Sequence, residues 1–414
     1  MISSRPGYNA RRAGRREARN ELDYVRPRYL SRENREARVK SNVHVRSMDM
    51  TIYIVVVILA AIGVIMVFSA SYVRAANAPG GNAFYFLTRH GGFAIAGFII
   101  MNIIANTSYE IIRPFTWIIY FITLGLLVAV IVTGQILGGA ARWVYIPFVG
   151  QFQPSEIAKA SLILLIAFLT EKYPMALRTW SGLFIFGGLV AVPVMLIAAP
   201  GGFSTALIVG FTGFLMIFVA SPHIWRFILG GAGAVGAIAG YLWWEFSFGG
   251  GFRGRRVYAW LNPFDDPLGI GRQIIQSIYA VASGGWLGLG IGQSRQTSFL
   301  PLAHNDMIFA IIVEELGFVG AAMLIVLFGM LIWRGVIVAL RAPDVFSYMT
   351  ALGIVFMFAF QTIIHIGVTT NTIPNTGVTL PFISYGGTSL IVNMALAGIL
   401  LNISKYSKDK NQPN

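Results

Sequence analysis

Residues 249–306 read GGGFRGRRVYAWLNPFDDPLGIGRQIIQSIYAVASGGWLGLGIGQSRQTSFLPLAHND and form the one long polar interruption in an otherwise apolar chain. The stretch contains five arginines, three aspartates and a glycine-rich centre. Long connections in compact proteins are usually either functional or disordered. The residue types in this one indicate function, and the apolar segments on either side of it decide the fold.

The composition predicts an integral membrane protein. Of the 414 residues, 56% are hydrophobic and 12% are charged, against roughly 25% charged residues in a soluble domain. A helical span needs about 20 mostly apolar residues, so the chain is predicted to cross the membrane about ten times. The predicted fold class is all-α, with a long extracytoplasmic loop at residues 245–306. The predicted spans are 50–72, 91–106, 114–133, 157–169, 182–199, 204–220, 227–244, 307–333, 345–368 and 381–403.

The charges predict how the chain is oriented. Residues 1–47 are rich in arginine and poor in large apolar side chains, so they are predicted to be a disordered cytoplasmic arm rather than a signal peptide. The membrane domain then covers residues 48–404, and residues 405–414 form a cytoplasmic tail. Basic residues of the short loops fall on the same side as the arm, which places both termini in the cytoplasm. The net charge of +14 is explained by this bias, and no nucleic-acid partner is expected. The absence of cysteine excludes thiol chemistry.

The same orientation places the arginines of the long loop outside, against the usual bias. Such charge calls for an anionic partner, and a lipid-borne phosphate is the natural candidate. Any single arginine could instead extend its side chain to lipid headgroups. The loop arginines are Arg253, Arg255, Arg256, Arg272 and Arg295.

A short amphipathic helix is predicted inside the loop. Apolar residues recur at helical spacing from Ile270 to Ala282, including Ile278 and Tyr279, while Arg272, Gln273, Gln276 and Ser277 occupy the other side. The segment is too short to span a membrane, so an interfacial or re-entrant helix is expected. Glycines at residues 284–292 would let the backbone fold back toward the membrane.

Carboxylates are the first candidates for chemistry. Asp265 and Asp266 stand between two prolines, where they could act as a base, ligate a cation, or simply form a turn. Glu314 and Glu315 lie inside a predicted span, where ionisable groups are costly and usually face a cavity or partner. Asn305 or Asp306 could cap that span.

Two further polar stretches open predicted spans. In QPSEIAK, residues 153–159, Ser155 is a predicted N-cap, and Glu156 and Lys159 are one helical turn apart, which favours a structural ion pair. PFISYGGTS, residues 381–389, is by itself a helix-packing motif. Nothing matches a Walker loop or a nucleophile elbow.

Together these motifs resemble the SEDS family (shape, elongation, division and sporulation), the polytopic glycosyltransferases that polymerise lipid II into glycan strands. The resemblance covers about residues 50–403. It rests on residues 153–159, on DPLGIGRQIIQS at 266–277, on FLPLAHNDMIFA at 299–310, on EELG at 314–317 and on residues 381–389. The family implies ten helices with the long loop outside, in the bacterial cytoplasmic membrane.

The resemblance also implies site residues. The essential aspartate of the family motif corresponds to Asp266, which would act as base or hold a divalent cation, Mg²⁺ or Mn²⁺. The expected substrate-binding residues are Arg253, Arg255, Arg256, Arg272, Gln276, Arg295, His304, Asp306 and Ser384. Supporting roles inside the membrane fall to Glu156, Lys159, Glu314 and Glu315.

Partners and subtype follow from the same resemblance. A cognate class B penicillin-binding protein and other divisome or elongasome proteins are the implied partners, besides lipid II and the membrane. GVTLPF, residues 377–382, and the basic arm resemble the division type, FtsW, more than the elongation type, RodA. Two other functions stay open: a lipid II flippase with Glu156, Lys159, Glu314 and Glu315 lining its path, and a noncatalytic division scaffold.

Overall fold

The computed structural model describes residues 47–77, 81–137, 140–146, 150–223, 225–227, 252–269, 271–300 and 303–406, together with residues 236 and 240. Residues 1–46 of the predicted arm lie outside these ranges, as does nearly all of the span predicted at 227–244. The fold below is that of the compact unit from residue 46 onward.

Long helices make up most of the described chain. Within the described ranges, eight segments are long and apolar enough to cross a membrane, and they correspond to α1, α2, α3, α5, α6, α9, α10 and α11. The predicted all-helical, multi-pass fold is confirmed. In chain order the helices are α1 Met50–Ala76, α2 Tyr85–Asn106, α3 Thr116–Thr133, α4 Pro154–Lys172, α5 Trp180–Ala198, α6 Phe203–Ala220, α7 Phe252–Leu261, α8 Arg272–Ser283, α9 Ile308–Leu340, α10 Val345–Thr369 and α11 Gly387–Lys405.

Helix α4 is the predicted fourth span, yet its charges set it apart from the eight apolar helices. It carries Glu156, Lys159, Glu171 and Lys172, and nearly all of its residues are buried inside the protein. Helices α10 and α11 are also largely buried, whereas α2, α3 and α5 expose apolar side chains such as Val132 and Phe184. This division is expected when outer helices face lipid and inner ones face protein.

Several predicted helix starts were wrong. Gln153 is the N-cap of α4 and Pro154 occupies the first turn, so Ser155 makes no cap; proline suits that position because its missing N–H would have no partner there. Met307 precedes α9 without a side-chain cap, so neither Asn305 nor Asp306 caps it. Helix α11 begins at Gly387 rather than at residue 381.

The two ends of the bundle are identified by contacts between α1 and α9, which run antiparallel. Asp49 caps α1 by accepting from the Thr51 and Ile52 N–H groups at 3.0 and 3.2 Å. Its other carboxylate oxygen pairs with Arg334 near the C-terminal end of α9. We call this the Asp49 end, and the other, which carries the 249–306 stretch, the loop end.

A small sheet at residues 135–152 was not predicted. Strands β1 Gln135–Leu137, β2 Ala140–Ile146 and β3 Gly150–Phe152 pair antiparallel in the order β1-β2-β3. The registers are Ile136 opposite Ala141 and Tyr145 opposite Gln151. The sheet connects α3 to α4 and brings Arg142 to the loop end.

Helix α9 is broken at Gly317, where φ is +69° and ψ is −169°. The glycine-rich segment 284–292 docks on the break. Leu289 and Gly290 donate their N–H groups to the Glu314 and Glu315 carbonyls at 2.9 and 3.0 Å. In return, the carbonyls of Gly285 and Trp286 accept from Phe318 and Val319. The predicted return of the glycine stretch to the membrane domain therefore takes the form of backbone pairing with an interrupted helix.

Candidate active site

The two adjacent aspartates of the loop have different environments. Both are exposed. Asp265 is the last residue of a 3₁₀ turn, Pro263–Asp265, and Asp266 follows it directly. The Tyr258 hydroxyl donates to Asp265 Oδ2 at 2.6 Å, and this hydrogen bond with the carboxylate charge raises the pKa of Tyr258. Asp266 Oδ1 instead accepts from the Gly269 N–H at 3.0 Å, within the turn.

The geometry of this turn explains the Asp-Pro-Leu-Gly sequence. A Cβ at residue 269 would lie 2.2 Å from Asp266 Oδ2, so only glycine allows the carboxylate to fold against the backbone there. The Asp266 carbonyl accepts from the Gly271 N–H at 3.1 Å, immediately before α8. The aspartate is therefore held at the N-terminal end of α8 in a defined conformation.

Helix α8 is the predicted amphipathic helix, but its buried face differs from the predicted one. Ile274, Ile275 and Ser277 are buried, whereas Tyr279 and Ala282 are exposed. The prediction placed Ser277 on the polar side from helical periodicity. Here it donates to the Thr369 carbonyl at 2.7 Å, which satisfies the buried hydroxyl and ties α8 to the end of α10.

Two more hydrogen bonds hold the loop on the residues that follow α10. Gln273 Oε1 accepts from Asn375 Nδ2 at 2.9 Å, and Trp260 Nε1 donates to the Asn371 carbonyl at 3.0 Å. Gln276, a predicted substrate contact, is half-buried on the same helix. The loop thus packs over the segment between α10 and α11.

The predicted Glu156–Lys159 ion pair is present and deeply buried. Lys159 Nζ lies 2.8 Å from Glu156 Oε2 and 3.2 Å from Gln361 Oε1 of α10. The Gln361 amide in turn donates to the Thr379 carbonyl at 2.8 Å. A chain of polar contacts therefore runs from α4 through α10 to the segment leading into α11.

His304 belongs to an aromatic cluster formed by three separate parts of the chain. Its ring centroid is 4.5 Å from that of Phe86 on α2 and 5.5 Å from that of Tyr385. Burial, helped by the charges of Arg74 and His90, lowers the pKa of His304 to about 4. His90 is fully buried beside Tyr385, with ring centroids 5.8 Å apart.

This pKa predicts how pH acts through His304. The unfolded chain takes up a proton near pH 6.5 and the folded chain only near pH 4, so the contribution of neutral His304 is complete above pH 6.5 and is lost as the pH falls toward 4. The destabilisation caused by His304→Asn is expected to be about 2 kcal/mol smaller at pH 5 than at pH 7.5. Thermal unfolding of both proteins in detergent at the two pH values measures the difference. An equal cost at both would contradict it.

Ser384 and Asp306 occupy the same region but in different ways. The Ser384 hydroxyl accepts from the Leu380 N–H at 2.8 Å and donates to the Asn305 carbonyl at 2.7 Å, so it joins two segments of the chain. Asp306 is half-buried, and its charge acts on Arg142 of β2, where burial is the larger effect and lowers the pKa of the guanidinium. Ser384 thus ties the segment before α11 to the residue that precedes Asp306.

The basic residues of the loop end include several that the sequence did not single out. Arg272 and Arg295 are exposed, whereas Arg253, Arg255 and Arg256 lie on α7 with side chains outside what the structure describes. Arg74 ends α1 beside the aromatic cluster, and Arg89 Nη1 donates to the Tyr85 hydroxyl at 2.7 Å. Within the described ranges, neither Arg74 nor Arg89 forms an ion pair. In the sequence, Arg89 and His90 stand together at the start of an apolar run. This pair of polar residues was the signal that could have identified Arg89 as a candidate.

The described residues do not assemble a protein-only metal site. No group of three or more histidine, aspartate or glutamate side chains among them is placed to hold a metal ion. Asp266 could offer a cation one carboxylate, and the remaining ligands would have to come from substrate phosphates and water.

The profile of the family described as "Cell cycle protein", with the members FtsW, RodA and SpoVE, matches residues 49–409. The chain belongs to this family. Its sequence is 40% identical over 368 residues to "Stage V sporulation protein E" of Bacillus subtilis, covering 87% of this chain and 98% of that protein. It is 38% identical over 366 residues to "Probable peptidoglycan glycosyltransferase FtsW" of Geobacter metallireducens, covering 87% of this chain and 95% of the relative.

Solved structures of the FtsW/RodA/SpoVE family share the fold. One is a chain from a study titled "Structural coordination of polymerization and crosslinking by a peptidoglycan synthase complex", with a TM-score of 0.72 and 28% identity, covering 86% of this chain and 97% of that one. The crystal structure of the rod shape determining protein RodA from Thermus thermophilus has a TM-score of 0.63 and 26% identity, covering 87% and 98%. The family predicted from the motifs is confirmed.

Proposed function

We propose that this chain is a peptidoglycan glycosyltransferase that polymerises lipid II into glycan strands, with Asp266 as the catalytic base. The observation that carries the assignment is the turn at Asp266. Its carboxylate is exposed and held by Gly269, while that of Asp265 accepts from Tyr258. Relatives that match along nearly the whole membrane domain carry this activity in their names.

The proposed step transfers a sugar between two lipid-linked substrates. The Asp266 carboxylate takes the proton of the acceptor sugar 4-hydroxyl as that oxygen attacks C1 of the donor sugar. The new C1–O bond forms as the bond from C1 to the diphosphate oxygen breaks, and the lipid diphosphate leaves with the electron pair. A general base of this kind contributes typically 10²–10⁴-fold to a rate.

Basic residues at the loop end would stabilise the leaving diphosphate. Arg74 lies near buried His304, and Arg89 on the neighbouring helix lies near Tyr385, whose ring packs against His304. Arg272 and Arg295 are exposed on the loop. Guanidinium groups bind phosphate oxygens with two hydrogen bonds in a fixed geometry. We assign the diphosphate of one substrate to Arg74 and Arg89. The diphosphate of the other substrate is assigned to the loop arginines.

A small crevice lies beside Arg142. Helices α3 and α5 line it with Leu127, Val130, Leu196 and Ile197, and α4 adds Pro154 and Ser155. It has room for about one water molecule, so it does not bear on where the lipid chain of a substrate lies.

Substitution of Arg89 tests the diphosphate assignment. Because a hydrogen bond to a charged group contributes about 1.5–3 kcal/mol, Arg89→Ala is expected to raise the KM for lipid II on the order of 10-fold or more. Arg89→Lys keeps the charge and should lose less. Initial rates with fluorescent lipid II give the values, and Arg341→Ala, at the Asp49 end, is the matched control. An unchanged KM in Arg89→Ala would rule the contact out.

The function as a whole is tested by reconstitution. The full chain in liposomes with fluorescent lipid II is expected to yield glycan strands on gels, with and without a cognate class B penicillin-binding protein. Transfer of lipid II between leaflets without strands would support a flippase. The absence of both strands and transfer would support a scaffold. The internal Glu156–Lys159 pair is electrically balanced, which suits a structural role better than a translocation path.

Location and partners complete the proposal. The loop end faces the outside of the cytoplasmic membrane, with both termini in the cytoplasm, and the strands are made for division or sporulation. A single-span crosslinking enzyme is the expected partner. Exposure of single cysteines, one introduced at Leu268 and one in residues 1–46, to an impermeant thiol reagent in intact cells distinguishes the two faces.

A further inference from the structure

Glu314 is a buried carboxylate that the proposed reaction does not use. It lies on α9, three residues before the break at Gly317, and its side chain has 0% exposure. Three donors from the loop converge on its two oxygens: the Ser294 hydroxyl at 2.5 Å, the Arg295 N–H at 3.0 Å and the Gln296 N–H at 3.4 Å. The Ser283 hydroxyl lies 3.4 Å from Glu314 Oε1 but donates to the Ala280 carbonyl at 3.0 Å. One side chain thereby contacts both ends of the segment 283–296.

The backbone around Glu314 reinforces this attachment. Its carbonyl accepts from the Leu289 N–H at 2.9 Å, in the middle of the same segment. A Cβ at residue 284 would lie 2.1 Å from the Val313 carbonyl oxygen, so the segment approaches α9 as closely as backbone allows. The segment is therefore fixed to α9 at its start, middle and end.

The donors suit a carboxylate side chain, which has two accepting oxygens. Two of them are backbone N–H groups, which can only donate. A glutamine would keep one accepting oxygen but present an NH₂ group to the remaining donors. A buried polar group is costly unless its hydrogen bonds are complete, and here the loop itself completes them.

A short path leads from Glu314 to Asp266. Ser283 is the last residue of α8, and the Gly271 N–H just before its first residue donates to the Asp266 carbonyl at 3.1 Å. A 12-residue helix is about 18 Å long and stiff, so fixing its C-terminal end fixes the direction in which its N-terminal end points. Gln273 and Ser277 hold the same helix from the α10 side.

We propose that Glu314 is a positioning residue, whose carboxylate anchors residues 283–296 to α9 and so sets where the Asp266 turn stands over the membrane domain. The idea rests on the proposed role of Asp266. Misplacement of a reacting group by about 1 Å can cost 10²-fold in rate. Loss of the anchor therefore acts on turnover more than on substrate binding.

Glu314→Gln in the full chain tests the anchor. Hydrogen exchange followed by mass spectrometry is expected to speed up in residues 271–300, and kcat for lipid II polymerisation is expected to fall on the order of 10- to 100-fold with KM changed much less. Glu171→Gln is the matched control, because that buried carboxylate pairs with Arg113 at the Asp49 end. It should cost stability without altering exchange in the loop or the rate per folded molecule.

A second substitution separates anchoring from simple folding. Ser294→Asp in the Glu314→Gln background restores a carboxylate between the same partners, since the new side chain can accept from both the glutamine amide and the 296–297 N–H groups. Recovery of slow exchange and of kcat is expected. If Glu314→Gln does not fold, Ser294→Ala, which removes one donor, gives a milder version of the same comparison.

The outcomes are distinct. Faster exchange in residues 271–300 with unchanged kcat, or a lower kcat with unchanged exchange, would overturn the proposal. If the wild-type chain makes no glycan strands, the proposed function fails, and exchange in Glu314→Gln still decides whether the anchor exists.

Discussion

Asp266→Asn is expected to reduce lipid II polymerisation by about 100-fold or more, because it removes the base while leaving the turn intact. The asparagine carbonyl can still accept from the Gly269 N–H, as Asp266 Oδ1 does at 3.0 Å, so the conformation that Gly269 permits is kept. The side chain is exposed, and the midpoint of thermal unfolding should stay within about 1–2 °C of wild type. The loss would then be one of chemistry rather than of folding.

Asp265→Asn is the matched control, since it removes an equal charge one residue away. In the wild-type protein the Asp265 carboxylate accepts from the Tyr258 hydroxyl at 2.6 Å. The oxygen of an asparagine side chain can accept the same hydrogen bond. The rate should therefore remain within a few-fold of wild type. Both variants are measured by strand formation in liposomes at matched protein amounts. An Asp266→Asn protein that polymerises at near wild-type rate, or equal losses in both, would rule out the assigned base.

Lys159→Met is expected to destabilise the protein by about 3–5 kcal/mol, because it leaves a buried charge without its partner. Glu156 and Lys159 are 4% and 2% exposed, so water cannot replace the lost ammonium group. Gln361 Oε1 also loses the donor that stands 3.2 Å away. Unfolding in detergent, followed by heat or denaturant, measures the change.

Removing both charges should recover most of that loss. In Glu156→Gln/Lys159→Met no ion remains to be desolvated, and replacement of a buried pair by neutral groups is often nearly neutral in stability. The difference between the single and double variants isolates the cost of the unpaired carboxylate. A single variant as stable as wild type would show that Glu156 is neutralised or solvated by another route.

Hydropathy and charge were enough to predict the membrane fold. The spans at α1, α3, α5, α6, α9 and α10 begin within a few residues of the predicted runs, because length and apolarity are the dominant requirements for a helix in lipid. The glutamate–lysine pair was also predictable, since residues three apart on a helix are neighbours. Local sequence rules therefore account for most of the architecture.

Contacts between distant segments could not be predicted in this way. The cluster around His304 brings together Phe86 and Tyr385, which are about 300 residues apart, and no local pattern reports their meeting. Ser277 was assigned to the wrong face of α8 because its partner, the Thr369 carbonyl, belongs to another helix. Periodicity finds the apolar face of a helix but not a buried hydroxyl whose acceptor comes from elsewhere.

The roles of Glu314 and Glu315 show the same limit. The sequence indicated only that ionisable groups inside a span are costly and usually face a cavity or partner. Both are buried: Glu315 accepts from the Ser69 hydroxyl of α1 at 2.6 Å, and Glu314 accepts from Ser294 of the loop. The break at Gly317 and the glycine segment docked on it allow both carboxylates to accept hydrogen bonds from other parts of the chain. Neither feature was visible in the helical pattern of the sequence.

The break in α9 also bears on how the protein fits its bilayer. The whole helix has 33 residues, about 50 Å at 1.5 Å per residue, which is far longer than the ~30 Å hydrocarbon layer. The part after Gly317, from Phe318 to Leu340, is about 34 Å long and crosses that layer with modest tilt. The break therefore limits the length of helix that the bilayer has to accommodate to the part after Gly317.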